Sequence, residues 1–168
     1  MPERRREVGF VTALGKTRVS SLIWPEGVGA SVVGLGGASL LITYADLETR
    51  LRVAGDALVV LAPLLGVVLA ALTLVIAVST DEYVRLLNKT ATGLIGFYRP
   101  FIIAIGFQVW TILIVLAYRA IAGEASEDAE GWVFRLVGFL VVFCLLDILA
   151  VGRNVLMHAT TRARMIEP

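Results

Sequence analysis

The stretch ALVVLAPLLGVVLAALTLVIAV, residues 57–78, carries no charged side chain, and Thr73 is its only residue with a hydrogen-bonding side chain. A helix rises about 1.5 Å per residue, so about 20 apolar residues cross a hydrocarbon layer about 30 Å thick. The rest of the chain agrees, because 58% of its 168 residues are hydrophobic and its mean hydropathy is +0.84. The stretch is therefore predicted to be a transmembrane helix.

Three more apolar segments reach the length of a membrane span. The four predicted spans are about 22–44, 57–78, 101–122 and 132–151. A cleavable signal peptide is the rival interpretation of the first span, but the charged region before it is longer than signal peptides have. The pattern predicts an all-α polytopic membrane protein in which four transmembrane helices form one domain.

The predicted domain organisation follows from these spans. Residues 1–21 form a basic N-terminal segment, residues 22–152 the transmembrane domain and residues 153–168 a C-terminal tail. Short interfacial helices are expected beside the spans, over residues 8–22 and 81–98, and Asp56 is a candidate N-cap for the second span.

Lysine and arginine predict the orientation of the spans. Eleven of the 15 basic residues lie in the N-terminal tail, in the loop between spans two and three, or in the C-terminal tail. We therefore expect both termini in the cytoplasm, and the Val-, Ala-, Gly- and Arg-rich composition indicates a protein of the bacterial inner membrane. The eleven are Arg4, Arg5, Arg6, Lys16, Arg18, Arg85, Lys89, Arg99, Arg153, Arg162 and Arg164.

Enzymatic chemistry is not indicated. The chain has one histidine and one cysteine, and neither lies in a metal-ligand spacing such as CxxC or HExxH. Paired carboxylates occur only in predicted loops, and the formal net charge of +1 does not favour nucleic acid as a partner. We expect no enzyme activity, no cofactor and no metal site.

The fourth span, FLVVFCLLDILAVG at residues 139–152, contains an aspartate in an apolar run. A charge at the centre of a span costs ~2.5–3.5 kcal/mol on insertion scales, so Asp147 needs water, a partner or a proton. Three accounts stay open: pairing inside the bundle with Arg99, Arg153 or Gln108, a wet inner vestibule, or proton transport. The vestibule account places a polar stripe of Asp147, Asn154 and His158 below an apolar constriction of Leu140 and Phe143.

Two other spans carry candidate residues. Gln108 and Thr111 share one face of the third span, where they either hydrogen-bond a neighbouring helix or line a wet path. Ala30, Gly34 and Ala38 recur at helical spacing in the first span. These small residues predict a packing face, within the chain or between subunits, and a pore wall is the alternative.

The loop before the fourth span, GEASEDAEG, is acidic. It holds Glu124, Glu127, Asp128 and Glu130 without a lysine or arginine. A solvated loop is the simple interpretation, and in an oligomer the same charges would concentrate cations at an outer mouth. Arg119 and Arg135 are positioned to neutralise part of this charge.

Two functions are compatible with these features. The first is a homo-oligomeric ion channel or pore, because four helices in one chain enclose only a core filled by their own side chains. The second is a membrane scaffold that recruits a soluble partner through its basic tails. The expected partners are the lipid bilayer, further copies of the chain and a cytoplasmic regulatory protein.

Short cytoplasmic tails, four spans and the lack of an enzyme motif resemble the small membrane effectors of bacterial anti-phage systems, such as the Hailong type. The resemblance covers the whole chain as an architecture, without a shared residue motif. It implies an oligomeric ion channel that a nucleotidyltransferase partner holds or releases.

Overall fold

The structure, a computed structural model, describes the backbone of residues 26–77, 79, 84–85 and 93–166. Within that set it describes all side chains except those of 26, 93–97, 154 and 157–166. Helix α1 covers residues 26–44 in three continuous segments, Glu26–Gly29, a π-helical Ala30–Leu35 and Gly36–Tyr44. Helix α2 is Leu47–Ala77, α3 is Gly93–Ile121 and α4 is Glu127–Ile166.

The four helices confirm the predicted class of fold. Each contains a window long and apolar enough to cross a membrane, with mean hydropathy between 1.5 and 2.8. No strand occurs in the part of the chain that the structure describes. The chain is an all-α membrane protein. The expected interfacial helix over residues 8–22 and most of the one over 81–98 lie outside the described residues.

Helix α2 begins earlier than the sequence predicted, at Leu47 rather than near residue 57. Asp56 therefore lies inside the helix, and the expectation that it caps the span was wrong. Asp46 is the cap, because its Oδ1 accepts a hydrogen bond from the Thr49 backbone N–H at 3.0 Å. Hydrogen bonds from the Thr49 side chain and from the Thr49 backbone N–H lower the pKa of the exposed Asp46 carboxyl below its ordinary value of 3.8.

Helix α4 is longer than one span. Its 40 residues rise about 60 Å, roughly twice the hydrocarbon thickness. It begins at Glu127, ahead of the predicted start near Trp132, and it continues to Ile166 through the segment predicted as a tail. The acidic loop is correspondingly shorter, and its last residues form the first turn of the helix.

The helices pack in a defined order. Helix α3 packs on both α2 and α4, and α1 packs on α4. We call the end with the α1–α2 and α3–α4 connections the turn end, and the opposite end the tail end. Although α1 and α2 are consecutive, an apolar cavity of about 200 Å³ opens between them above α4.

Seven-residue spacing determines which side chains face the interior. On α2 the buried residues are Ala54, Leu61, Val68 and Val75, each seven apart. On α3 the buried row alternates steps of three and four residues, which is the pattern of left-handed helix packing. That row is Phe101, Ala104, Gln108, Thr111, Val115 and Tyr118.

Two apolar clusters fill the core. The cluster at the turn end contains Ala54, Val115 and Phe134, and the cluster at the tail end contains Val68, Phe101 and Val151. Gln108 and Thr111 fall between them on the buried row of α3. Two apolar clusters therefore flank a pair of buried polar side chains in the middle of α3.

Candidate functional site

A polar layer of three residues lies at mid-depth between α3 and α4. Gln108, Thr111 and Cys144 are each at most 1% exposed. Gln108 and Thr111 belong to the buried row of α3, and Cys144 lies on the facing side of α4. We refer to these three residues as the polar layer.

Hydrogen bonds account for two members of the polar layer. The Thr111 hydroxyl donates to the Phe107 carbonyl oxygen at 2.8 Å, and Thr111 Oγ1 lies 3.2 Å from Cys144 Sγ. Because the single hydroxyl proton is already donated within α3, the Cys144 thiol is the donor to Thr111. This contact links the middle of α3 to the middle of α4.

The third member of the polar layer, Gln108, differs from the other two in its hydrogen bonding. Both Oε1 and Nε2 of its side chain are buried, and neither has a hydrogen-bonding partner among the described residues. A buried polar group left unpaired costs roughly 1–3 kcal/mol. The sequence expectation that Gln108 bonds a neighbouring helix is therefore not fulfilled by any described residue.

Three aromatic rings lie beside the polar layer. Phe107 and Phe143 meet edge to face with their centroids 5.1 Å apart, and Phe139 stacks on Phe143 at 6.0 Å. Phe143 is buried in this cluster, whereas Leu140, its predicted partner in a constriction, is only half-buried. The two predicted gate residues therefore have different surroundings in the single chain.

Asp147 lies three residues from Cys144 on α4, toward the tail end. Its side chain is half-buried and it has an interaction partner in the structure. The predicted polar stripe continues along the same helix, since the backbone of α4 passes through Asn154 and His158. The side chains of these two residues lie outside the described set.

The small residues of α1 pack within the chain. Ala30, Gly34 and Ala38 are all buried, and α4 of the same chain covers them. The contact is closest at Gly34, where a Cβ would lie 2.6 Å from the carbonyl oxygen of Gly138. Residues spaced by four drift around an α-helix, and the wider π turns at Ala30–Leu35 return them to one face.

An ionic cluster at the turn end was not predicted from the sequence. Arg50 Nη2 lies 3.1 Å from Glu130 Oε2, and the Tyr118 hydroxyl donates to Glu130 Oε1 at 2.5 Å. Arg50 also donates from Nη1 to the Ile42 carbonyl oxygen at 3.4 Å. Glu130 was assigned to a solvated loop, but it is only 4% exposed.

The burial of Glu130 has a simple cause. Because α4 begins at Glu127, Glu130 is already helical and continues the buried row through Phe134 and Val137. The remaining acidic residues of the loop are exposed, as a solvated loop requires, namely Glu124, Glu127 and Asp128. Glu130, Val137 and Cys144 are each seven residues apart. This spacing is the feature of the sequence that predicts the burial of Glu130.

The two arginines expected to neutralise the loop have other contacts. The Arg119 guanidinium lies against α2 at Gly55, 3.4 Å from where a Cβ would stand. Arg135 donates from Nε to Ser39 Oγ at 3.2 Å, and its guanidinium lies 5.2 Å from the centre of the Trp132 ring. Neither forms a salt bridge with a carboxylate among the described residues.

The described residues contain no group of three histidine, cysteine or carboxylate side chains placed to hold a metal ion. No known protein family, curated protein or solved structure matches the chain. Functional inference therefore depends on the geometry of the chain itself.

Proposed function

We propose that the protein is the subunit of an oligomeric ion channel of the bacterial inner membrane, with both termini cytoplasmic. The observation that carries the proposal is the fully buried, unpartnered amide of Gln108 in the polar layer. A polar group at mid-depth in hydrocarbon has no lipid partner, so it is stabilised only by protein, water or an ion. Water or a permeating ion would supply the missing hydrogen bonds.

The residues around the polar layer fit a path that enters from the tail end. Asp147 lies about one helical turn inward of Cys144 and would attract cations toward the layer. The aromatic cluster of Phe107, Phe139 and Phe143 flanks the same part of the seam. Apolar and aromatic collars next to a charged ring are a known way to gate a pore by wetting.

The packed chain corresponds to a closed state under this proposal. Val115 and the turn-end cluster fill the seam beyond Thr111, and the Tyr118–Glu130–Arg50 cluster lies beyond them. Opening would separate α3 from α4 where Thr111 contacts Cys144. That contact joins two small side chains across the seam and is weaker than the ionic cluster.

Several copies are proposed because the side chains of the described helices fill the seam between α3 and α4 in a single chain. The span windows bury only 17–39% of their residues inside the chain, so most span surface is available to lipid or to other copies. On α4, Leu140 and Asp147 are half-buried on one side of the helix. This side would face the neighbouring copies, which would complete the path when α3 and α4 separate, and a cytoplasmic partner would control opening, as in the effectors that the architecture resembles.

Ion flux from liposomes containing the purified protein tests the proposal. We expect the wild type to conduct, Asp147→Asn to lose rate or cation preference, and Gln108→Met to lose most of the flux. Thr73→Val is the matched control, because Thr73 is exposed on α2 and bonds only the Leu69 carbonyl of its own helix. Equal flux in the wild type and Gln108→Met would refute the role of the polar layer.

If the wild-type protein shows no ion flux, two leak variants distinguish a closed channel from a scaffold. Leu140→Ser and Phe143→Ser should admit water into the collar and open the path. Flux from either variant would support a closed channel. If both remain folded and silent while the protein forms a fixed complex with a soluble partner, the protein is a membrane scaffold.

Cys144 provides an independent probe, because it is the only cysteine in the chain. In the closed state it is buried, so a small cationic thiol reagent should react slowly. In conducting protein the reaction should accelerate and reduce the flux. A labelling rate that does not change between silent and conducting conditions would place Cys144 away from the path.

A further inference from the structure

We propose that Arg135, together with Ser39 and Trp132, binds the phosphate of an anionic phospholipid in the leaflet at the turn end. This site is separate from the polar layer and does not depend on ion conduction. It forms on the outer side of the seam where α1 packs on α4.

The first step is the fixed position of the guanidinium. Arg135 Nε donates to Ser39 Oγ on α1, and the Trp132 ring lies beside the guanidinium plane on α4 itself. Arg135 Nη1 also lies beside Gly131, at an ordinary contact distance of 3.8 Å from where a Cβ would stand. A charge held in one geometry loses less entropy on binding a ligand than a free side chain does.

The second step is the unused hydrogen-bonding capacity. An arginine carries five N–H donors, and the contact with Ser39 uses the one on Nε. The four remaining N–H groups on Nη1 and Nη2 form the planar fork that matches two phosphate oxygens. Arg50 offers a contrast at the same end of the bundle, because its charge is balanced by Glu130.

The third step is depth in the membrane. Trp132 is 71% exposed, and exposed tryptophan is enriched where headgroups meet acyl chains. Leu136, the residue that follows Arg135 inward along α4, is exposed. On α1, Leu35 is exposed one turn inward from Ser39. Phosphate at Arg135 therefore places the acyl chains beside these leucines.

The nearest carboxylate on the same face of α4 does not replace the lipid. Asp128 lies seven residues toward the turn end, which is about 10 Å along the helix and beyond direct pairing. It is exposed to solvent, whereas Arg135 is half-buried. The guanidinium therefore faces the headgroup region without a protein counter-ion among the described residues.

Quenching of Trp132 by brominated lipid tests the inference. Trp24→Phe and Trp110→Phe leave Trp132 as the only tryptophan of the three. The protein is placed in phosphatidylcholine vesicles that contain either brominated phosphatidylglycerol or brominated phosphatidylcholine at equal mole fraction. We expect about fivefold preferential association of phosphatidylglycerol, the equivalent of ~1 kcal/mol for one basic residue at the surface.

Arg135→Gln should reduce this preference to none, and Arg52→Gln should preserve it, because Arg52 is an exposed arginine at the same end without those contacts. Arg135→Lys should retain part of the preference, since it keeps the charge and loses the fork. If Arg135→Gln fails to fold, Ser39→Ala is the alternative variant. It removes the acceptor of Arg135 Nε and should weaken the preference for phosphatidylglycerol.

Three results would overturn the inference. The first is equal quenching by both brominated lipids in the wild type, and the second is a preference that survives Arg135→Gln. The third is loss of the preference on adding soluble inorganic phosphate, which would identify a free anion rather than a lipid as the ligand.

Discussion

Arg50 and Glu130 form an ion pair that ties the first turns of α2 to the first turn of α4. Their closest atoms, Nη2 and Oε2, are 3.1 Å apart, and the two side chains are 14% and 4% exposed. Tyr118 of α3 donates to the same carboxylate, and the Ile42 carbonyl of α1 accepts from Arg50. All four helices therefore meet at this ion pair, and removal of either member leaves the other buried and unpaired.

Loss of one partner in this cluster should strongly destabilise the fold. Glu130→Gln leaves the Arg50 charge buried, and breaking a buried pair costs about 3–5 kcal/mol. We expect a loss of that size in the free energy of unfolding, measured by denaturant titration in detergent micelles. Arg50→Met with Glu130→Leu should recover much of it, because no lone charge remains.

The control for this prediction is Glu127→Gln, which removes a carboxylate from the same turn of α4. Glu127 is exposed, so its substitution should change the free energy of unfolding by less than about 0.5 kcal/mol. Equal losses for Glu127→Gln and Glu130→Gln would mean that the ion pair contributes nothing specific.

The contact between Gly34 and Gly138 should not accept a methyl group. A Cβ on Gly34 would lie 2.6 Å from backbone oxygen, and one on Gly138 would lie 2.8 Å from the Gly34 carbonyl oxygen. We expect Gly34→Ala to separate α1 from α4 and to lower the free energy of unfolding by about 1–3 kcal/mol. Gly36→Ala meets no atom within 4 Å and should stabilise α1 by up to about 1 kcal/mol.

These two alanine variants differ only in position along α1, so their comparison isolates the helix crossing. Thermal unfolding followed by circular dichroism measures both. A neutral Gly34→Ala would show that α1 does not approach α4 as closely as described.

The cap at Asp46 predicts a specific pH dependence. Its pKa in the folded protein is lowered below 3.8, so the charged form contributes stability above that value and loses it as pH falls through the folded-state pKa. Asp46→Asn keeps a side-chain acceptor without the titration. The difference in unfolding midpoint between wild type and Asp46→Asn should therefore shrink below pH 3.8.

Asp46→Ala should lower the midpoint at neutral pH, because the Thr49 N–H then loses its acceptor. Glu48→Ala, on the neighbouring exposed carboxylate, is the control and should have a smaller effect. A constant difference between wild type and Asp46→Asn at all pH values would contradict the charged cap.

The unpaired amide of Gln108 should lower the stability of the fold, although the proposed function depends on it. Gln108→Met keeps the size of the side chain and removes both unpaired polar atoms. We expect the free energy of unfolding to rise by about 1–3 kcal/mol, the cost of an unsatisfied buried group. A fall of that size would instead reveal a strong protein partner for the amide.

The sequence predicted the four helices because hydrocarbon thickness determines span length whatever the packing. It did not place the helix ends, since the charged first turns of α2 and α4 lower the local hydropathy although both helices continue through them. Arg50 and Glu130 look like loop residues by composition. They become core residues only when the seven-residue row is followed outward past the apolar segment.

The candidate site was predictable in part. Gln108 and Thr111 share a face in any helix, but the contact of Thr111 with Cys144 requires the register between α3 and α4, which no local pattern contains. The same limit applies to Phe143. Its projection beside Asp147 identifies its face of α4, but not the packing of its ring on Phe107 of the neighbouring helix.

The attachment of α1 to α4, rather than to α2, orders the assembly of the protein in time. A ribosome delivers α1 first and α4 last, so the partner that covers Gly34 reaches the bilayer only after the two intervening spans have been inserted. Until then Gly138 is not available to cover the glycine-rich face of α1. Of the four helices, the one synthesised first is thus among the last to reach its final neighbours.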